Sequence, residues 1–270
     1  MSVSPIHTRI WQETPEADNP FATRTARCHG YDVYGAMLGR AGWAEMVYLL
    51  FRGEAPQPWQ ARVMDMLAVA LANAGPRDPA VHAAMGGGIG GSTAASSLMA
   101  ALAVGAGQVG GAREVFLAVR DWRDCGCDLP AWRERIAARP DNGDDVWPTP
   151  EHTPGFDVHG VSTPLIVQQA LDALARDSQG PRLAWLQSHR LLLEEAARSP
   201  LAMTGVAAAA LADLGFEPAQ AEMLFLLLRL PGAAAHVLEQ EGNSYKRFPF
   251  YPLDLEDDPA RRGQTLETLP

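Results

Sequence analysis

Apolar residues recur along most of the chain at the three- to four-residue spacing of an amphipathic α-helix. The segment Trp43 to Arg52 has this spacing, and Gly53 follows it at the position where helices commonly end. Runs of alternating β-branched and aromatic residues, which are typical of strands, are scarce. We therefore predict an all-α fold. Further helices are predicted over residues 58–73, 94–105, 113–122, 163–174, 185–197, 203–214 and 218–230.

Two glycine-rich segments interrupt this helical pattern, Gly86–Gly91 and Gly105–Gly111. Five of the six residues from Gly86 to Gly91 are glycine, a run that would cost a helix several kcal/mol, at about 1 kcal/mol per residue relative to alanine. We expect close backbone packing there, a ligand that approaches the backbone, or a break in the helix. Residues 124–153 are polar and rich in proline and glycine, and we predict an exposed loop over 138–145.

The charge of the chain narrows the choice of partners. The formal net charge is −10, from 22 basic and 32 acidic residues, and the basic residues form no cluster larger than a pair. A nucleic-acid groove needs a concentrated basic surface, and anionic membranes attract basic segments, so we expect neither partner. The first residues lack the charged and apolar regions of a signal peptide, and we predict a cytoplasmic protein.

The cysteines do not indicate a metal site or a disulfide framework. There are three, and Cys125 and Cys127 are separated by one residue, whereas zinc and thioredoxin motifs have a two-residue spacer. No second pair of ligands lies nearby in the sequence. We therefore predict no bound metal.

The order of the helices and loops resembles that of the citrate synthase superfamily, and most closely its short citryl-CoA lyase branch. The matching segments run colinearly between about residue 30 and residue 250. They are Gly30–Val33, Glu45–Pro56, Gly110–Ala112, Pro154–Phe156, Ala212–Phe216, Leu224–Gly232 and Ala235–Gln240.

This resemblance implies an all-α homodimer in which each subunit has two helical domains with the active site in the cleft between them. Residues 1–112 and 205–270 would form the large domain with its C-terminal arm, and residues 113–204 the small domain. Members of the superfamily make or break a carbon–carbon bond between an acyl-CoA and a keto acid. The resemblance therefore implies a small-molecule carboxylate or an acyl-CoA as ligand, with the coenzyme A thioester as substrate and no bound cofactor.

The chain departs from the superfamily at the residues that carry this chemistry. Val109 stands where the first catalytic histidine is expected, Val158 where the second is expected, and Thr204 where the carboxylate base is expected. A valine can neither donate nor accept a proton, and a threonine hydroxyl is far too weakly acidic to replace a carboxylate. Two further positions differ from the superfamily. The segment Asn73–Gly75 stands where a histidine-containing turn is expected, and Met85 stands where an arginine is expected.

Other polar residues near these positions are the candidates for replacement chemistry. Asp157, His159 and Gln108 are the candidate catalytic residues, and Asp157 with His159 would form a shifted acid/base pair. The alternative is that His159 is an exposed loop residue and that Asp157 caps a turn. The candidate substrate-binding residues are Thr204, His236, Lys246, Arg247 and Arg113, of which Lys246 and Arg247 lie in the segment that resembles the arm.

Two functions follow from this combination of a matching scaffold and substituted catalytic positions. The first is an enzyme that acts on an acyl-CoA or polycarboxylate by aldol or Claisen-type chemistry with a non-standard active site. The second is a catalytically inactive relative that serves as a ligand-binding protein or as the partner of an active paralogue. The sequence leaves both open, and the resemblance favours the first, with the inactive relative as the alternative.

Overall fold

The computed structural model of the chain describes residues 8–138 and 152–243. An antiparallel three-stranded sheet comes first, with strand order β1 (Trp11–Pro15), β2 (Thr23–Cys28) and β3 (Tyr31–Asp32). Trp11 pairs with Cys28, and the register shifts between Thr14 and Pro15. A π-helical turn, Val33–Met37, follows the sheet.

Ten α-helices make up most of the remaining described chain, which confirms the predicted fold class. They are α1 (Trp43–Arg52), α2 (Pro58–Leu71), α3 (Pro79–Ile89), α4 (Ala94–Gly105), α5 (Ala112–Cys125), α6 (Leu129–Ala137), α7 (Leu165–Asp177), α8 (Pro181–Ala197), α9 (Met203–Asp213) and α10 (Pro218–Glu241).

The helix ends follow from local sequence chemistry. Gly53 adopts φ 75° after α1, a left-handed conformation that suits glycine. The Asp78 side chain accepts the N–H groups of Ala80 and Val81 at the start of α3, and Thr93 caps α4 in the same way through Ser96.

The core is built around α9, whose residues from Thr204 to Ala212 are all buried. Helix α9 packs against α5 and α8, and α10 packs against α3, α4 and α5. Helix α10 is long and apolar enough to cross a membrane by length and composition alone, and in the structure it packs against three other helices. One continuous apolar cluster includes residues from 1–112, 113–204 and 205–270, so the division into two domains at these positions stays a prediction.

The predictions of helices and strands from the sequence were incomplete: the N-terminal sheet was missed, and so was α6, which lies inside the polar segment 124–153. The glycine run Gly86–Gly91 agrees with the first of the three expectations, close backbone packing, and not with a break, because helix α3 runs on through Gly86–Gly88. There the glycines permit close packing, because a Cβ on Gly87 would lie 2.5 Å from the Ser97 hydroxyl of α4 and one on Gly88 would lie 3.1 Å from the Val237 carbonyl oxygen of α10.

Asp121 is a buried carboxylate on α5 with one oxygen that lacks a hydrogen-bond partner among the described residues. Its Oδ1 lies 3.5 Å from Arg135 Nε and 3.9 Å from Arg120 Nε. Burial raises the pKa of Asp121 above its ordinary value of 3.8, and the two arginines offset this only in part.

This raised pKa predicts how Asp121→Asn alters the pH dependence of stability. A carboxyl group with a raised native pKa stabilises the fold at low pH, and that contribution is lost as the pH rises through the native pKa. The free energy of unfolding of Asp121→Asn should therefore exceed that of the wild type most at pH 7. This excess should shrink as the pH falls towards about 4. Urea unfolding of both proteins between pH 7 and about pH 4 measures this excess. An excess that grows on acidification would mean that the two arginines lower the pKa of Asp121 more than burial raises it.

Candidate functional site

A cavity of about 340 Å³ opens where six segments of the described chain converge. These segments are the end of α2 with the loop after it, the loop before α5, the first turn of α5, the loop before α7 with the first turn of α7, the start of α9, and α10. Most of the wall is apolar, and its polar side chains are those of one arginine, one asparagine, one threonine and three acidic residues. The lining residues are Ala70, Leu71, Asn73, Ala74, Asp78, Val109, Gly110, Glu114, Phe156, Asp157, Val158, Ile166, Ala202, Met203, Thr204, Phe225 and Arg229.

Glu114 holds three of these segments together. Its Oε1 accepts the Gly155 N–H and the Thr204 hydroxyl, each at 2.8 Å, and its Oε2 accepts the Gly110 N–H. The side chain is almost fully buried. Because a buried carboxylate is tolerated only when its oxygens are hydrogen-bonded, these three donors explain how an acidic residue fits in this wall.

His152 lies behind this carboxylate, with its Nε2 3.7 Å from Glu114 Oε2. The imidazole is only 3% exposed, and neither ring nitrogen has a hydrogen-bond partner among the described residues. The pair lies too far apart for a hydrogen bond.

Two glycines bring the loop before α7 against α9. Gly155 has φ +91°, and a Cβ added to it would lie 2.9 Å from Gly205 Cα. Two backbone hydrogen bonds continue the contact, from Ala202 N to Gly155 O at 3.0 Å and from Asp157 N to Pro200 O at 2.8 Å. This close backbone approach places Val158 beside Thr204 in the cavity wall.

Arg229 on α10 also lines the cavity. Its guanidinium pairs with the Asp78 carboxylate, donates to the Gly110 carbonyl oxygen at 3.2 Å, and lies 4.9 Å from the centre of the Phe225 ring. It is the one basic side chain among the lining residues.

Solved structures share this arrangement of helices. Citryl-CoA lyase from Hydrogenobacter thermophilus aligns with a TM-score of 0.68 and 21% identity, over 98% of this chain and 97% of that chain. The citrate synthase fold is therefore shown. ATP citrate lyase from Methanothrix soehngenii, solved with citrate and coenzyme A, has a TM-score of 0.70 and 17% identity over 95% of this chain and 43% of its own.

A third solved structure has the same fold with a lower TM-score. Citrate synthase from the archaeon Thermoplasma acidophilum, in a ternary complex with carboxymethyl coenzyme A and oxaloacetate, has a TM-score of 0.59 and 17% identity over 85% of this chain and 59% of its own. No protein-family model matches the chain, and no curated protein matches it in sequence. At these identities the likeness extends to the fold alone.

Within this citrate synthase fold, the three substituted positions meet in one place. Val109, Val158 and Thr204 all line the cavity, although 95 residues separate the first from the last in a chain of 270. Each valine is also partly open to solvent, whereas Thr204 is buried and donates its hydroxyl to Glu114.

The candidate catalytic residues do not all share this cavity. Asp157 lines it, but its Oδ1 accepts the backbone N–H of His159 at 2.9 Å, which is the turn-capping arrangement considered above. His159 and Gln108 are exposed and lie outside the cavity lining. The side chains of Asp157 and His159 therefore form no acid/base contact within the described residues.

The candidate binding residues are spread more widely. Arg113 lies outside the cavity, where it pairs with Glu222 at 3.5 Å and stacks on Phe116 at 3.9 Å. His236 contacts Asn73 Oδ1 through its Nε2 at 3.2 Å, so it supports the wall from behind. Lys246 and Arg247 lie outside the described residues. No group of three or more His, Cys, Asp or Glu side chains in residues 8–138 and 152–243 is placed to hold a metal ion.

Three charged residues of the cavity wall escaped the sequence analysis: Asp78, Glu114 and Arg229. Glu114 comes directly after Arg113, at the start of the helix that follows the second glycine-rich segment. This position was the feature of the sequence that could have identified it as a site residue. Asp78 precedes Pro79, which marks it as a helix cap, but no sequence feature indicates that it also contacts Arg229, 151 residues away.

Proposed function

We propose that this chain is a ligand-binding protein that uses the cleft of the citrate synthase fold without performing carbon–carbon bond chemistry. The observation that carries the proposal is the composition of the cavity wall at Val109, Val158 and Thr204. These are the positions at which the resemblance calls for two histidines and a carboxylate base. The space for a ligand remains, while proton transfer at two of the three positions is chemically impossible.

The charges of the wall also argue against a polycarboxylate ligand. Asp78, Glu114 and Asp157 contribute three acidic groups, and Arg229 is already paired with Asp78. A ligand carboxylate about 4 Å from one of these acids would experience a repulsion of about 4 kcal/mol at the effective dielectric constant near a protein surface. A small ligand with an apolar body fits the remaining wall, since such walls are typical of small-molecule sites.

The second candidate is an enzyme with a remodelled active site that acts on an acyl-CoA or polycarboxylate. One observation favours it, namely that the Thr204 hydroxyl donates to the Glu114 carboxylate. Thr204 could then relay a proton from a substrate to Glu114. However, the same carboxylate accepts two backbone N–H groups, so protonating it would weaken the contact that holds the cleft together.

The homodimer and the active paralogue stay predictions of the resemblance. Helices α4 and α10 carry exposed apolar side chains, namely Met99, Val104, Met223 and Leu227. A dimer interface that covered both helices would bury these side chains.

Binding and turnover measurements on the same preparation test the proposed function. We expect small neutral amides with an aromatic or aliphatic body to raise the melting temperature and to bind in calorimetry. We expect no turnover of citryl-CoA, or of acetyl-CoA with oxaloacetate. Val158→Trp should weaken amide binding about tenfold or more, because the indole would fill the cavity mouth.

Val161→Trp is the matched control, since Val161 is fully exposed and lies outside this cavity. It should bind the amides as the wild type does. If no neutral probe binds, or if both tryptophan variants behave alike, the cavity is not the ligand site. Turnover of citryl-CoA, or of acetyl-CoA with oxaloacetate, by the wild type would instead establish the remodelled enzyme.

A further inference from the structure

The guanidinium of Arg229 is the feature of the cavity that would ordinarily bind an anionic ligand. It is mostly buried, with 14% of the side chain exposed, and it faces a cavity with room for a small molecule. Arginine forms a planar fork of donors that matches a carboxylate. An unpaired arginine here would make the cleft selective for acids.

Asp78 already accepts from one nitrogen of that fork, and the Gly110 carbonyl oxygen accepts from another. Asp78 Oδ2 accepts from Arg229 Nη2, while its Oδ1 accepts the Ala80 and Val81 N–H groups at 3.0 and 3.2 Å. The carboxylate is therefore fixed from two sides, by the first turn of α3 and by the guanidinium. The positive end of the α3 dipole stabilises the charge further.

We propose that Asp78 determines the ligand specificity of the cleft by acting as a built-in carboxylate that neutralises Arg229 and excludes acidic ligands. The proposal rests on the proposed function, because it assigns the ligand class of the same cavity. Without Asp78 the wall would contain a guanidinium whose charge is unpaired, beside Phe225, together with two acids, Glu114 and Asp157. With Asp78 in place, a ligand carboxylate meets like charges and finds no unpaired cation among the described wall residues.

Asp78→Asn separates the charge of this residue from its structural role. Asparagine caps helices as well as aspartate does, so the first turn of α3 keeps its side-chain acceptor. The amide no longer neutralises Arg229. Asp157→Asn is the matched control, because Asp157 lines the same cavity and also caps a turn, through the His159 N–H, but does not contact Arg229.

The experiment compares two ligands that share one skeleton, 3-phenylpropanamide and 3-phenylpropanoate, by calorimetry. The wild type should bind the amide at least about tenfold more tightly than the acid. Asp78→Asn should raise the affinity for the acid about tenfold or more and remove most of the preference for the amide, because the charge of one guanidinium becomes unpaired. Asp157→Asn removes the same charge but should raise the affinity for the acid less than about threefold.

Equal gains in the two variants would overturn the proposal, because the effect would then be one of net charge alone. A wild type that binds the acid as tightly as the amide would overturn it as well. If neither ligand binds the wild type but another neutral amide does, the affinities of that amide and its acid are compared in the same three proteins, and the same outcomes decide the proposal. If no neutral amide binds at all, the proposed function fails instead. Should Asp78→Asn fold poorly by circular dichroism, Asp78→Ser provides a second capping variant without the charge.

Discussion

Replacing Glu114 with alanine should destabilise the protein by about 3 kcal/mol or more, one of the two largest single-residue effects that we expect. The carboxylate receives the Gly110 N–H, the Gly155 N–H and the Thr204 hydroxyl. Truncation leaves these donors without their acceptor in a buried site, and each unsatisfied group costs about 1–3 kcal/mol. It also separates the three segments that form the cavity wall, so binding of neutral probes should fall with stability.

Urea unfolding at neutral pH measures this cost, and two comparisons define its origin. Glu114→Gln keeps the shape and one acceptor oxygen, so it should lose less than the alanine variant. Glu222→Ala removes an acid that pairs with Arg113 near the surface, and such pairs are worth about 0–1 kcal/mol. If Glu114→Ala costs no more than Glu222→Ala, Glu114 does not hold the cleft together.

The helices were largely predictable because their apolar faces pack on the core. Helices α1 and α4 begin and end where the sequence indicated, at Trp43–Arg52 and Ala94–Gly105. The strands β1 and β2 could not be found in this way. Most of their side chains are exposed, so the alternating apolar pattern that identifies a half-buried strand is absent.

Pro231 illustrates a different limit of sequence-based prediction. Because proline lacks an N–H donor, we ended the last helix at Leu230, yet α10 continues to Glu241. The next residue, Gly232, directs its N–H to the Ala72 carbonyl oxygen at 2.6 Å, just after α2. A tertiary contact between segments 160 residues apart thus replaces a helical hydrogen bond, and local sequence rules contain no information about it.

The position of the cavity could be predicted from the sequence, but the charges of its wall could not. The resemblance indicated the segments that contain Val109, Val158 and Thr204, and all three line the cavity. The contacts that decide the chemistry join distant positions, as in Thr204 with Glu114 and Arg229 with Asp78. Such pairs become visible only when the helices are packed together.

Replacing Gly205 with alanine should destabilise the protein by about 3 kcal/mol, although alanine is the better helix former. The added Cβ would lie 2.3 Å from the Gly155 carbonyl oxygen and 2.8 Å from Leu201 Cδ1. The first of these neighbours is backbone, which cannot rotate away as a side chain can. The Gly155 backbone is also hydrogen-bonded on both sides, through its carbonyl oxygen to Ala202 N at 3.0 Å and through its N–H to Glu114 Oε1 at 2.8 Å, so it has little freedom to move away.

Gly86→Ala is the matched control for this substitution. Gly86 also lies inside a helix, α3, but an added Cβ there would meet nothing within 4 Å. The control should be neutral or stabilise the protein by up to about 1 kcal/mol, because alanine restricts the unfolded chain and favours the helix. Comparable effects at the two glycines would contradict the close approach of Gly155 to α9. A loss confined to Gly205→Ala, with weaker binding of neutral probes, would tie the shape of the cavity to this backbone contact.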